Sequence, residues 1–299
     1  MKTHRVIGVD VGGTKILAAL ISRDGTVEER REHPTPVDSQ EELFEGIARA
    51  VDEHLAHGAA AIGFGVPSQV DHERGTVGGS VNIPLHDLAL RDRARERFGL
   101  PAAVENDANA AALAEWTAGA GRGTRNMVML TLGTGVGGGI VLDGRLYRGW
   151  AELGHIVIDE DGKPCQGTCT GGGHLESYCT GVAASEAART AFGPAADAHW
   201  LIRLAREGDE RAKDILAAIG HRLGAGIGSL VNVFHPEMVV IGGGFGVVAL
   251  EFLLEAAREV VEREALSRAG FEVRIVPAEL GTAAGVIGAG LVAFEALES

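Results

Sequence analysis

The chain has 299 residues, 45% of them hydrophobic, and a formal net charge of −14. That size buries one large core or two ordinary ones. The acidity argues against a general nucleic-acid or anionic-membrane surface, which wants a basic face. Phosphate-bearing substrates stay open, because backbone N–H groups and Mg²⁺ can hold them without side-chain charge.

MKTHRVIGVD enters a strand-like run at once, without the apolar stretch and small-residue cleavage site of a secretion signal. VIGVDVGG and KILAALIS are apolar β-rich runs joined by a Gly/Thr turn, and TVEERREHPTP reads as a third, partly exposed strand. A helix follows, with Leu43, Ile47, Val51 and Leu55 on one face and a Ser39/Glu42 capping-box pattern at its start. AAIGFGVP is the next buried strand, LALRDRARERFG a helix, AAVEN a strand, and DANAAALAEWTAG a helix ending on glycine. After the glycine-rich AGAGRGT (118–124), read as a hinge region, the second half opens as the first did: MVMLTLG, a Gly/Thr turn, and GGGIVLDGRLY. It continues with a long helix through AKDILAAIGHRLGAGIGSLVNVF, the strand MVVIGGG, another helix, the strand FEVRIVPA and a last helix from GTAAGVIGAG. Two halves that repeat strand, turn, strand and then alternate helices with strands predict duplicated α/β domains. No apolar run reaches membrane-spanning length.

Chemistry concentrates in the turns. In DVGGTK, Gly12 and Gly13 let backbone approach a ligand, Thr14 adds a hydroxyl, Lys15 offers a phosphate partner, and Asp10 is placed to hold Mg²⁺ through water. A lone pair of glycines reads more simply as a tight hairpin. LGTGVGGG, with Gly133, Thr134, Gly135 and Gly137, repeats the design, so two donor-rich turns can clasp one polyphosphate. Neither turn opens a helix, as a Walker loop or a dinucleotide fingerprint requires. ENDANAA sets Asn106 and Asp107 where a strand runs into a helix. One of them caps that helix, or Asp107 is a general base toward a substrate hydroxyl while Asn106 orients a neighbouring one. Gly242, Gly243 and Gly244, after an apolar strand, offer bare backbone to adenine and ribose, or a close-packed strand end.

In sequence order, DVGGTK, ENDANAA, LGTGVGGG, ELGH, the Cys/His loop and VVIGGG resemble the sugar kinases of the ROK family (repressors, open reading frames and kinases) almost end to end. The resemblance implies two actin-like, ribonuclease H-like α/β domains of the hexokinase/heat-shock ATPase superfamily, with a cleft between them that closes on sugar and ATP. Their expected extents are 1–117 plus 284–299, the last helix returning to the first domain, and 118–283. It makes Asp107 the base for the sugar's 6-hydroxyl and Asn82, Asn106, Glu152, His155 and Glu176 its sugar ligands. The two turns become the ATP phosphate sites and Gly242 to Gly244 the adenosine site. The sugar-facing set matches the ATP-dependent bacterial glucokinases, with N-acetylmannosamine kinase, fructokinase and a catalytically silent sugar-binding protein as alternatives, and ATP favoured over polyphosphate as donor. Family repressors carry a DNA-binding segment before DxGGTK, which here starts at residue 10, so no nucleic-acid partner is expected. A cytoplasmic homodimer or homotetramer is.

Three cysteines, two of them close together beside histidines, suit a reducing compartment and a metal better than a disulfide framework. His155, Cys165, Cys169 and His174 make a tetrahedral Zn²⁺ set with no open position, hence a structural site, with Cys179 as alternative to His174 for the fourth ligand. Here the zinc is expected to fix His155 and the start of a helix carrying Glu176, so that its loss falls on sugar more than on ATP affinity. Two departures from the family pattern stand out: Ser68 follows the proline of GVPSQVD where a glycine is usual, and the loop reads C-x3-C with His174 in place of a third cysteine.

Overall fold

A computed structural model of the chain describes residues 5–167, 169–266 and 272–298. Met1 to His4 of the opening run and Phe271 of the FEVRIVPA strand therefore lie outside the described residues. The chain forms two compact units, Met1–Arg122 with Leu280–Ser299, and Gly123–Glu279.

The first unit runs β1 (Val6–Val11), β2 (Lys15–Ile21), β3 (Val27–Pro34), α1 (Gln40–Leu55), β4 (Ile62–Val66), β5 (Val70–Asp71), β6 (Thr76–Val77), α2 (Leu90–Phe98), β7 (Ala102–Asn106) and α3 (Asp107–Ala118). Its main sheet has the order β3-β2-β1-β4-β7, antiparallel among the first three strands and parallel from β1 outward. Strand β4 and, apart from Asp10, strand β1 are apolar because helices cover them, whereas β3, at the edge, is mostly exposed. Ser39 caps α1 by accepting from Glu42 N at 3.2 Å, and Leu43, Ile47 and Val51 are buried in the core with Phe64 and Val104.

The second unit repeats the plan with β8 (Met127–Leu132), β9 (Val136–Leu142), β10 (Arg145–Leu146), α4 (Gly181–Phe192), α5 (Ala198–Arg206), α6 (Glu210–Phe234), β11 (Met238–Gly242), α7 (Gly244–Glu264) and β12 (Arg274–Pro277). Its order, β10-β9-β8-β11-β12, is that of the first sheet strand for strand, with the same change from antiparallel to parallel. The duplication seen in the sequence is thus one of topology.

Three sequence readings need correction. GGGIVLDGRLY is two strands, because Asp143 and Gly144 both take positive φ (51° and 73°) and turn the chain into a hairpin. Helices α4 and α5 and the small β5–β6 hairpin were not foreseen. Glu176 sits in a 3-10 turn, Leu175–Ser177, rather than at the start of a helix.

The last helix, α8 (Ala284–Glu295), belongs to the first unit and packs on β1, β4 and α3. The contact is backbone to backbone. A Cβ on Gly8 or Gly63 would run into the carbonyl oxygens of Val286 or Ala289, and one on Gly288 into that of Ala110.

Candidate active site

In the first unit, the Gly12–Thr14 turn is closed by Gly12 N donating to Lys15 O at 2.9 Å and is backed by Thr35, whose Oγ1 donates to Gly12 O at 2.7 Å. Lys15 points its ammonium to Glu32 on β3, 3.0 Å away, in an exposed ion pair. Asn82 is exposed beside the turn, its Cβ 3.4 Å from where a Cβ on Gly13 would lie.

Asp10, at the end of β1, packs its carboxylate against the bare backbone of Gly285 in the first turn of α8. Its carboxyl is pushed up to about 7, chiefly by burial and then by the charge of Asp107, with Lys15 opposing. Asp10 and Asp107 therefore share one electrostatic neighbourhood although 97 residues of sequence separate them.

The junction of β7 and α3 shows which residue caps. Asn106 is the N-cap: Oδ1 accepts from Ala108 N (3.0 Å) and Asn109 N (3.1 Å), and Nδ2 donates to Ser68 O at 3.3 Å. One N–H of its amide is thereby used. Asp107 is the first helical residue, Oδ1 accepting from Ala108 N at 2.8 Å. Ser68 is buried and its hydroxyl donates to Gly79 O at 3.1 Å, which ties its loop to the β6 side. Beneath the junction lies Glu105, fully buried. Its Oε1 accepts from Asn106 N (3.0 Å) and Asn109 Nδ2 (3.1 Å) and pairs with His72 Nε2 at 3.0 Å. Sequence reading passed over Glu105 and His72; a carboxylate following the apolar Ala102–Val104 in the same strand was the available signal.

In the second unit, Glu152 and His155 flank the short turn Leu153–His155, held on β9 by Leu153, which packs against Gly138. Desolvation raises the Glu152 carboxyl, His155 opposes and Glu176 adds to the rise, so these three residues are neighbours. The loop between them is a narrow antiparallel ladder, with Val157 opposite His174 and Pro164 opposite Gly172. It brings one ligand atom each of His155, Cys165, Cys169 and His174 within 4.8 Å of one another. Cys169 Sγ lies 3.7 Å from His174 Nδ1. Ligand atoms of a tetrahedral zinc stand about 3.3–3.8 Å apart at ordinary bond lengths, so the donor set and the Cys169–His174 separation fit that ion. Cys179 is buried in the core, its thiol raised by burial and directed to Ile219 O at 3.7 Å. Of the two candidates for the fourth position, His174 is the one in the cluster.

A cavity of about 620 Å³ opens in this unit, lined by Gly133 and Thr134 of the second turn, Gly181, Arg189, Gly244 and Phe245. A Cβ on Gly244 would meet only open space. Gly242 instead lies in β11 against Met129, and Gly243 crosses the backbone of Leu132 with φ of 80°. Of the three predicted adenosine glycines, one faces the cavity and two serve packing. Gly137 pairs with Thr131 in the β8–β9 ladder. Arg189 and the α4–α5 region that carries it went unnoticed in the sequence, since both belong to helices it did not reveal.

Known proteins share this sequence and fold. The glucokinase of Halalkalibacterium halodurans is 36% identical over 97% of this chain and 95% of its own. A ROK hexokinase from Thermus thermophilus shares the fold with a TM-score of 0.85 and 37% identity, over 98% of this chain and 99% of that one. A ROK glucokinase from Streptomyces griseus, solved with glucose and AMPPNP, gives 0.82 and 33%, over 97% and 99%. The ROK family pattern matches residues 6–296, and the chain belongs to that family.

Proposed function

We propose that this protein is an ATP-dependent hexose kinase that phosphorylates the 6-hydroxyl of glucose. The observation that carries the reading is the 620 Å³ cavity rimmed by the second glycine turn and by Gly244, in a chain whose relatives are glucokinases. Adenosine occupies that cavity, with its phosphates toward Thr134 and Gly135, while Gly12, Gly13 and Thr14 serve phosphate from the first unit. Sugar recognition falls to Asn82, Asn106 and Asp107 of the first unit and to Glu152, His155 and Glu176 of the second.

Asp107 takes the proton of the 6-hydroxyl as that oxygen bonds to the γ-phosphorus and the bond to the β-phosphate oxygen breaks, releasing ADP. Such a transfer asks mainly for positioning and charge neutralisation. Asp10 would hold Mg²⁺, which supplies the neutralising charge. His155, Cys165, Cys169 and His174 would hold Zn²⁺, a structural ion that orders the loop; elemental analysis of the purified protein should find one per chain, lost in Cys165→Ser. The working assembly is a cytoplasmic homodimer or homotetramer, which light scattering would measure.

The deciding experiment follows ADP release with glucose, mannose, fructose and the N-acetylhexosamines, each with ATP. Glucose should give the largest kcat/KM. A larger value with fructose or N-acetylmannosamine would reassign the enzyme within the family, and sugar-independent or absent ADP release would remove it from the kinases.

A further inference from the structure

The Cys/His loop leaves its last ligand, His174, directly into the segment that holds the second glycine turn. Glu176 Oε2 accepts from Val136 N at 2.8 Å. The turn and this carboxylate touch so closely that a Cβ on Gly135 would lie 2.6 Å from the same oxygen. Five residues after Glu176, Gly181 N donates to Gly133 O at 2.9 Å. Both ends of the turn are thus pinned by one short segment, residues 176 to 181. That segment is braced in its turn by Gln166, whose Nε2 donates to Glu176 O and to Thr180 Oγ1, each at 3.3 Å. Thr180 also caps α4, accepting from Ala183 N at 3.1 Å.

We propose that Glu176, braced by Gln166, is a positioning residue for nucleotide binding, setting the shape of the Gly133–Val136 turn. Gly133 N is spent on Gly135 O at 2.9 Å and Val136 N on Glu176, so the turn's outward donors are the amides of Thr134 and Gly135. Fixing the two ends aims the two donors in the middle. A charged acceptor on a backbone N–H is among the stronger hydrogen bonds a protein makes. The Cys/His loop consequently acts on the nucleotide as well as on the sugar. This inference rests on reading the adjoining cavity as the nucleotide site.

Calorimetric titration with AMPPNP, without sugar, tests it on the full-length protein. Glu176→Gln keeps an oxygen that accepts from Val136 N and should stay within a few-fold of wild type. Glu176→Ala should bind about tenfold more weakly or worse, the size of a lost charge-assisted bond, and Gln166→Ala should fall between. A structural defect alone would lower thermal stability without ordering the three variants this way. Wild-type affinity in Glu176→Ala overturns the proposal; should that variant not fold, wild-type affinity in Gln166→Ala overturns it equally. Failure of the wild-type protein itself to bind AMPPNP would instead sink the nucleotide assignment, and this inference with it.

Discussion

Two aspartates, Asp10 near the end of β1 and Asp107 at the start of α3, carry the sharpest expectations. Asp107→Asn keeps size and hydrogen bonding but removes the proton acceptor, so turnover should fall by roughly 10²–10⁴-fold, the usual worth of a positioned base. Glucose binding, measured by calorimetry, should change far less; near wild-type turnover would reduce Asp107 to a helix-start residue. Asp10 makes a different prediction, about pH. Its folded-state carboxyl titrates at about 7 against 3.8 for the free group, so the folded protein holds this proton more tightly than the unfolded chain. The stabilisation is complete below 3.8 and is lost as pH rises through about 7. Asp10→Asn, neutral at all pH, escapes that loss. In buffer without divalent cations, its denaturant stability relative to wild type should climb from pH 4 to pH 7 and then level off. Parallel pH curves for the two proteins would show that burial of Asp10 is not the cause.

At the scale of elements, the β7–α3 junction depends on Glu105, a buried carboxylate with three donors around it. Glu105→Leu strips Asn109 Nδ2, the Asn106 backbone N–H and His72 Nε2 of their shared partner. The cost should be about 1–3 kcal/mol, that of leaving buried donors without an acceptor. Glu105→Gln, which keeps the acceptor oxygen, should cost markedly less, and equal losses in denaturant melts would mean that volume rather than hydrogen bonding matters there. This junction also shows what sequence can and cannot reveal. Strand, turn and helix order was legible because apolar runs and glycine turns are local signals, and the Cys/His cluster stood out because two of the chain's three cysteines lie close together between two histidines. Helices α4 and α5 escaped for a physical reason: GVAASEAARTAF is rich in alanine with no leucine stripe to mark a face, and α5 is only nine residues long. Glu176 was read as a sugar ligand from its motif, but its bond to Val136 spans forty residues, and no local pattern encodes such a partner. The cap at Asn106 was one of two readings the sequence left open, because an Asn-Asp pair at a helix start looks the same whichever residue caps.

For the molecule as a whole, the chain leaves the first unit, builds the second and comes back to complete the first with α8. That return makes the first unit's stability depend on residues far away in sequence. The dependence runs through bare backbone: Gly288 lies on the carbonyl of Ala110 in α3, and Gly8 and Gly63 lie under Val286 and Ala289 of α8. Backbone oxygens at a helix crossing cannot swing aside as a flexible side chain can, so a single added methyl must displace a whole helix. Overpacking of this kind costs typically about 1–3 kcal/mol. Gly288→Ala should therefore destabilise the first unit by at least that amount. Hydrogen exchange in the native state would locate the damage, because local opening reports each unit separately. Amides of β1, β4 and α3 should lose protection in Gly288→Ala, while those of β8 and β11, which belong to the second unit and its own core, should keep it. Unchanged protection in β1 and β4 would mean that α8 yields to the methyl, and that its close packing does not hold the first sheet together.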